Sequence, residues 1–498
     1  MAVRSAGLLL HVTSLPGPLP VGDFGPSAVR FFEWAESAGQ SLWQVLPLHP
    51  TGSHDSPYGA TSAFAGNPLL ISPERVVEDG LCAAKELEHA PPPRDGTVDF
   101  ASARDWKGKF LRRAWERLPP DGRLRSEWEA FRDSPDVAGW LPEWTLFAAL
   151  HETRPGSWSS WPSALGRRDP AAIREAKIEL AEEIAFQEFL QFLFYRQWSR
   201  VREEAHRRGI GIIGDVPIYI SQDSADVWSR PELFALRQDG RPDEVAGVPA
   251  DAFTPAGQLW GYPLYRWDRM EADGFAWWVE RMKQSSRLFD FVRVDHFRAF
   301  AAYWAVPAGD SDATRGHWRP GPGEKLWRSV ETSLGSLPII AEDLGTITPD
   351  VEQLRDALGL PGMKVLQFGF SEEDSPHRPS QPVENSVAYT GTHDNDTARG
   401  WYSALSASEQ ARVRSELGSD GKEIEWDMIR AAYESVSDRV VIPVQDVFGL
   451  DSDARMNHPG RAEGNWTWRA SLRDFTPERA DRLKRLAQAT GRIPSDRA

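Results

Sequence analysis

The chain has 498 residues and a single cysteine, Cys82. One cysteine excludes a disulfide framework and any multi-cysteine metal site, and it points to a reducing compartment. Positive charge is also scarce: the formal net charge is −16. Nucleic acid and anionic membrane surfaces both ask for a basic face, so neither is an expected partner. Long apolar runs are missing as well. The run Ala6 to Leu10 is too short for a secretory signal and ends at His11, with Pro16, Pro18 and Pro20 close behind. No stretch approaches a membrane span. A cytoplasmic protein is expected, and the sequons Asn395-Asp-Thr397 and Asn465-Trp-Thr467 read as chance. No cofactor is implied: there is no phosphate loop, no pyridoxal lysine motif and no Cys/His metal cluster.

Aromatic residues are plentiful, with 22 tryptophans. Several stand in polar surroundings, as in Ser157 to Trp161 and Asn465 to Trp468. Flat rings with a polar handle suit a partly wet surface, and the C–H faces of sugars match them. A large core and interhelical packing account for most of the rest.

The chain is organised around Phe291 to Phe300, FVRVDHFRAF. It opens as a strand, so Phe291, Arg293 and Asp295 share one face and Val292 and Val294 the other. Arg293 in that position would hold Asp295 ionised, as a nucleophilic carboxylate requires. A structural ion pair at a strand end is an equally good reading of this stretch alone.

Further strands are expected at Leu8–Val12, Leu42–Leu46, the run ending at Asp215, Leu337–Glu342, Met363–Phe368, Ser386–Thr390 and Arg439–Val444. Helical patterns cover Pro26–Gly39, Ile173–Arg208, Phe275–Leu288, Lys325–Leu334 and Asp350–Leu358. The Gly-x-G-x-x-G match at 209–214 is a decoy. It follows a helix and leads into Pro217, whereas a dinucleotide fingerprint follows a strand and opens a helix.

Eight short strands alternating with helices fit an α/β fold, a (β/α)₈ TIM barrel, which needs about 250 residues. A doubly wound open sheet is the alternative. The expected organisation is barrel strands one and two over 1–71 and a helical insertion over 72–182. Barrel helix and strand three then occupy 183–220, and a second insertion over 221–274 covers a cleft. Strands four to eight, long loops and C-terminal helices fill 275–498.

A barrel presents the C-terminal ends of its strands to the active site. Asp215, Asp295, Glu342 and His393-Asp394 all fall at such ends. Acids at four strand ends, with an arginine and histidines, describe a polar floor that binds hydroxyls and stabilises positive charge. A magnesium site with Lys364 as base is a weaker alternative.

The sequence resembles the 4-α-glucanotransferases called amylomaltases or disproportionating enzymes, of glycoside hydrolase family seventy-seven, relatives of the α-amylases. The resemblance rests on Ser56-Pro-Tyr58, Ser62 to Pro68, Gly214 to Ile220, Gly257 to Gly261, Val292 to Arg298, Ala341 to Gly345, Gly391 to Thr397 and Asn457 to Arg469. It implies a retaining double displacement on α-1,4-glucans, with Asp295 as nucleophile, Glu342 as acid/base and Asp394 stabilising the transition state. By the same match Arg293 keeps Asp295 ionised, and Tyr58, Asp215, His296 and His393 line the subsite of the transferred glucose. Gln258, Trp260 and Asn465 would contact sugars too. Retention needs two carboxyls about 5–5.5 Å apart, which adjacent strands four and five can supply. The apolar residues Ile339 to Ala341 behind Glu342 favour its protonated form. Two positions depart from the family pattern: Ala252 replaces an aromatic, and Tyr262 replaces the asparagine before Pro263. Phe253 or Tyr262 could supply the missing ring. An α-1,4-glucan hydrolase with the same carboxylates, or a glucan-binding protein without activity, are the competing functions.

Overall fold

Eight short β-rich runs form one parallel sheet in the computed structural model, which describes residues 4–493 except 53, 251–253, 371–373, 382 and 462. The strands are β1 (Ser5–Leu9), β2 (Leu42–Gln44), β3 (Gly211–Val216), β4 (Phe291–Val294), β5 (Ile339–Ala341), β6 (Gly362–Val365), β7 (Ser386–Tyr389) and β8 (Arg439–Pro443). They pair in the order β6-β7-β8-β1-β2-β3-β4-β5, every ladder parallel. The two ends of that order meet. Ala341 N–H donates to the Pro361 carbonyl at 2.9 Å, and Met363 N–H donates to Asp343 Oδ1 at 2.7 Å. A side chain thus replaces a ladder bond at the seam, and the sheet curls into the expected (β/α)₈ barrel rather than an open sheet.

Several boundaries differ from expectation. The first strand ends at Leu9, and Val12–Ser14 turns into a 3₁₀ helix; pairing with Arg439–Pro443 starts the strand at Ser5 instead. The sixth strand stops at Val365, with Leu366–Phe370 again 3₁₀. The long helix divides at Leu180 into Pro170–Glu179 and Ala181–Arg207. An apolar run says that a segment is buried, not where its ladder partners end, so strand ends were the weakest inference.

Between β2 and β3 the chain forms helices Phe100–Glu116, Arg123–Arg132 and Leu141–Thr153. A buried ion pair fastens the first of them to the barrel. The Lys107 ammonium donates to Asp23 Oδ2 at 2.7 Å and to the carbonyls of Leu69 and Ile71 at 2.8 and 3.0 Å. All three ammonium protons are satisfied, so removal of either partner is expected to cost about 3–5 kcal/mol.

Between β3 and β4 the polar, aromatic stretch makes two strands, Glu244–Val248 and Gln258–Pro263. They join Ala302–Pro307 and His317–Pro320, which follow β4, in a four-stranded antiparallel sheet. This second insertion therefore carries sheet strands between its short helices Ala225–Ser229 and Trp267–Ala272. Its side chains alternate, so Trp260 faces the barrel mouth and Leu259 faces away. Most tryptophans serve the core: all but Trp260, Trp267, Trp304, Trp318 and Trp401 are buried, Trp158 and Trp161 included.

Candidate active site

Arg293 stands in β4 directly opposite Asp215 in β3, and side-by-side residues in a ladder project to the same side. Its Nη1 donates to both Asp215 oxygens, at 2.8 and 2.7 Å, and lies 3.0 Å from Asp295 Oδ1. The Tyr58 hydroxyl donates to Asp215 Oδ2 at 2.7 Å. Asp215 is fully buried with both oxygens engaged. It braces Arg293 and Tyr58, which places it in the lining expected for it at one remove from the open mouth. Arg293 was also expected to serve Asp295, but its charge is shared between two carboxylates.

Asp295 and Glu342 follow the last residues of neighbouring strands, where Val294 pairs with Ala341. One residue links them. His296 adopts the left-handed conformation (φ 49°, ψ 48°), which is costly for a residue with a Cβ. That turn aims the His296 N–H at Glu342 Oε2, 2.6 Å away, while Leu344 N–H donates to Oε1 at 2.8 Å. Both Glu342 oxygens are thereby fixed by main chain. Burial pushes the Glu342 carboxyl up to about 7, against the pull of Arg293 and the two amides. Burial also drives Asp295 up, opposed by Arg293 and reinforced by Asp215, Glu342 and Asp394. Asp295 keeps a quarter of its side chain exposed, open to the barrel mouth.

The opposite wall comes from the loop after β7. Asp394 Oδ1 accepts from Asn457 Nδ2 at 2.6 Å, and Arg455 Nη2 donates to the Asp394 carbonyl at 2.6 Å. His393 is buried, stacked on Tyr58 at 5.1 Å and tilted against Trp466 at 5.9 Å. Burial lowers His393 and pushes His296 down to about 3, so both imidazoles are neutral. Trp260 meets His296 edge-on at 4.8 Å, and its indole N–H donates to Gln258 Oε1 at 3.1 Å. Tyr262, on the same strand face, has its hydroxyl next to Gly59, and burial, reinforced by Asp295, raises it to about 12.

Asn465 is hydrogen-bonded within its own loop. Its Oδ1 accepts from His458 N–H at 2.9 Å and its Nδ2 donates to the Arg461 carbonyl at 2.8 Å, so it shapes its own loop. Ala252 and Phe253 lie outside the described residues. Sequence reasoning missed Arg455, Asn457 and Trp466 as parts of the wall. The run Asn457 to Arg469 carried the signal, but nothing local to it says which side chains reach Asp394. Lys364 has Asp343 and Glu352 in its neighbourhood, and among the described residues no group of three or more metal-binding side chains occurs.

These carboxylates at the ends of β3, β4, β5 and β7 define an enzyme of the barrel class with its site at the C-terminal mouth. The profile of glycoside hydrolase family 77, 4-alpha-glucanotransferase, matches residues 10–474. A 4-alpha-glucanotransferase from Thermus thermophilus is 46% identical over 98% of this chain and 99% of its own. The chloroplastic/amyloplastic 4-alpha-glucanotransferase of Solanum tuberosum is 44% identical over 98% of this chain and 87% of its own. The solved amylomaltase from Streptococcus agalactiae in complex with acarbose superposes with a TM-score of 0.95 at 36% identity, covering 98% of this chain and 99% of that one. The chain belongs to the 4-alpha-glucanotransferase family, and it is an enzyme acting on α-1,4-glucans.

Proposed function

We propose that the enzyme transfers α-1,4-glucan segments between maltooligosaccharides or starch- and glycogen-type glucans by a retaining double displacement. The observation that carries this reading is the pair at adjacent strand ends. Asp295 touches a cation, and Glu342 is buried with its carboxyl raised to about 7. A charge on Glu342 works against a charge on Asp295, so one proton on the pair is favoured. Only Asp295 has a guanidinium at 3.0 Å, so the proton resides on Glu342 and the charge on Asp295. That is the division of labour a retaining mechanism needs.

Asp295 attacks the anomeric carbon while Glu342 protonates the departing glycosidic oxygen. The donor's non-reducing segment becomes esterified to Asp295. An acceptor 4-hydroxyl, deprotonated by Glu342, then displaces Asp295 and restores an α-1,4 bond. Asp394 receives the 2- and 3-hydroxyls of the transferred glucose, and Tyr58, His296 and His393 line its subsite. Arg293 is the positioning cation for Asp295. Gln258 and Trp260 meet sugars further along the cleft. No cofactor is required, because one glycosidic bond replaces another. The lone cysteine supports the cytoplasm as compartment.

Water can intercept the same ester, and the small sheet with Trp260 and Tyr262 supports transfer by covering the cleft. Incubation with maltotriose alone tests the reading. Glucose and a ladder of longer maltooligosaccharides are expected, with the total of reducing ends constant. A steady rise in reducing ends, with no product longer than the substrate, would identify a hydrolase instead.

A further inference from the structure

His393 borders a small cavity of about 20 Å³. His11, Ser14, Gln445, Asp446 and Met456 line it with His393. Most of the polar atoms named here have partners. Asp446 accepts from Thr390 Oγ1 and from Ala398 N–H, and Ser14 donates to the Trp468 carbonyl at 2.8 Å. Two do not: Nδ1 of His11 and Nδ1 of His393 have no hydrogen-bond partner among the described residues, although each side chain is more than nine-tenths buried. A buried polar atom left without a partner carries a penalty that native proteins rarely leave standing.

The stacking around His393 has a gap in what it determines. Tyr58 and Trp466 fix the plane of the imidazole. A half-turn about χ2 keeps that plane and exchanges the nitrogens for carbons. The Asp394 contact at 3.4 Å from Nε2 is too long to choose firmly between the two orientations. It does favour a proton on Nε2, beside the carboxylate, which leaves Nδ1 of His393 an acceptor. His11 is neutral also, since burial lowers it to about 3. The volume suits about one water.

We propose that one buried water donates its two O–H bonds to Nδ1 of His11 and Nδ1 of His393, and that His11 thereby acts as a positioning residue for His393. The water selects the orientation in which Nε2–H points toward Asp394 and the sugar. This role rests on the reading of His393 as part of the glucose subsite; the water itself does not. His11 is not among the site residues expected from the sequence.

A crystal structure of the wild-type enzyme at a resolution that defines waters is the first arm. Density within hydrogen-bond distance of both Nδ1 atoms is expected, and its absence, or a direct imidazole–imidazole contact, overturns the proposal. Kinetics supply the second arm. His11→Leu removes the acceptor, and a fall in kcat/KM for maltotriose of roughly fivefold to tenfold is expected, the worth of one hydrogen bond. His11→Asn keeps an acceptor near the Nδ1 position and should recover most of that loss. Equal rates in His11→Leu and wild type, or equal losses in both variants, would overturn the positioning role. NMR of labelled histidine nitrogens is the third arm and does not depend on turnover. The His393 Nδ1 signal, assigned by its loss in His393→Gln, should shift toward an unbonded acceptor in His11→Leu and stay put in His11→Asn. If wild type transfers no glucan, the reading of function fails, while the density and the NMR signal still decide the water.

Discussion

The floor and the wall of the site hold their carboxylates by different means. On the floor, Asp295 and Glu342 are fixed by what belongs to β4 and β5 themselves: a ladder partner, an ion pair to Arg293, and the amides of His296 and Leu344. On the wall, Asp394 sits half-exposed on a loop, and its carboxylate is held by Asn457 from a second loop. The floor is preorganised by the barrel and buried enough to raise its acids. The wall is adjustable, suited to a residue that must meet sugar hydroxyls as the ring distorts. Changes on the floor should therefore remove chemistry, and changes on the wall should loosen it.

The largest effect is expected at Asp295. Asp295→Asn should lower kcat by at least roughly 10⁴-fold while glucan binding persists, because no other carboxylate stands at that strand end. Titration of bound oligosaccharide by calorimetry separates the two. Retention of more than a small fraction of transfer would remove Asp295 as nucleophile.

The pH profile comes next. Glu342 must be protonated for the first step, so activity should fall as pH rises through about 7. Stability follows the same proton. The folded carboxyl is raised above its ordinary 4.5, so the native state binds more protons than the unfolded chain between about 4.5 and 7. That window is where stability declines with rising pH, and above it the penalty is fully present. Glu342→Gln should therefore raise Tm by a few degrees at pH 8 and by less at pH 5. A Tm gain independent of pH would mean that the carboxyl is not raised.

On the wall, Asn457→Ala should lower kcat/KM by about tenfold, mainly through kcat, and leave Tm nearly unchanged, because it frees the Asp394 carboxylate without touching the ladder. A loss as large as that of Asp295→Asn would erase the distinction between floor and wall. The smallest change is expected at the roof. Tyr262→Asn should raise the share of hydrolysis over transfer severalfold, seen as reducing ends gained from maltotriose, since it opens the cleft between the small sheet and Gly59.

The same contrast explains what the sequence could reveal. The floor was legible because Arg293 and Asp295 are two residues apart, and because strand alternation puts them on one face without further information. Glu342 was legible by its place after an apolar strand. The wall was not: Asn457 reaches Asp394 across 63 positions of chain, and Tyr58 reaches Asp215 across 157. Such pairs are set by loop packing that no local period encodes. The bracing role of Asp215 was hidden for a related reason. Its partner Arg293 was visible, but only the β3–β4 register shows the two to be neighbours, with Asp215 closed off from the cleft. The small sheet escaped notice because its strands are short and contributed by two separate loops.

The central claim is that Asp295 carries the sugar and Glu342 the proton. Glu342→Gln incubated with a maltosyl fluoride tests it most directly, because fluoride leaves without a general acid and the second step then lacks its base. Mass spectrometry of the digested protein should show a glycosyl increment on the peptide containing Asp295. An unmodified Asp295 peptide, or an increment elsewhere, with wild-type consumption of the fluoride would contradict the account.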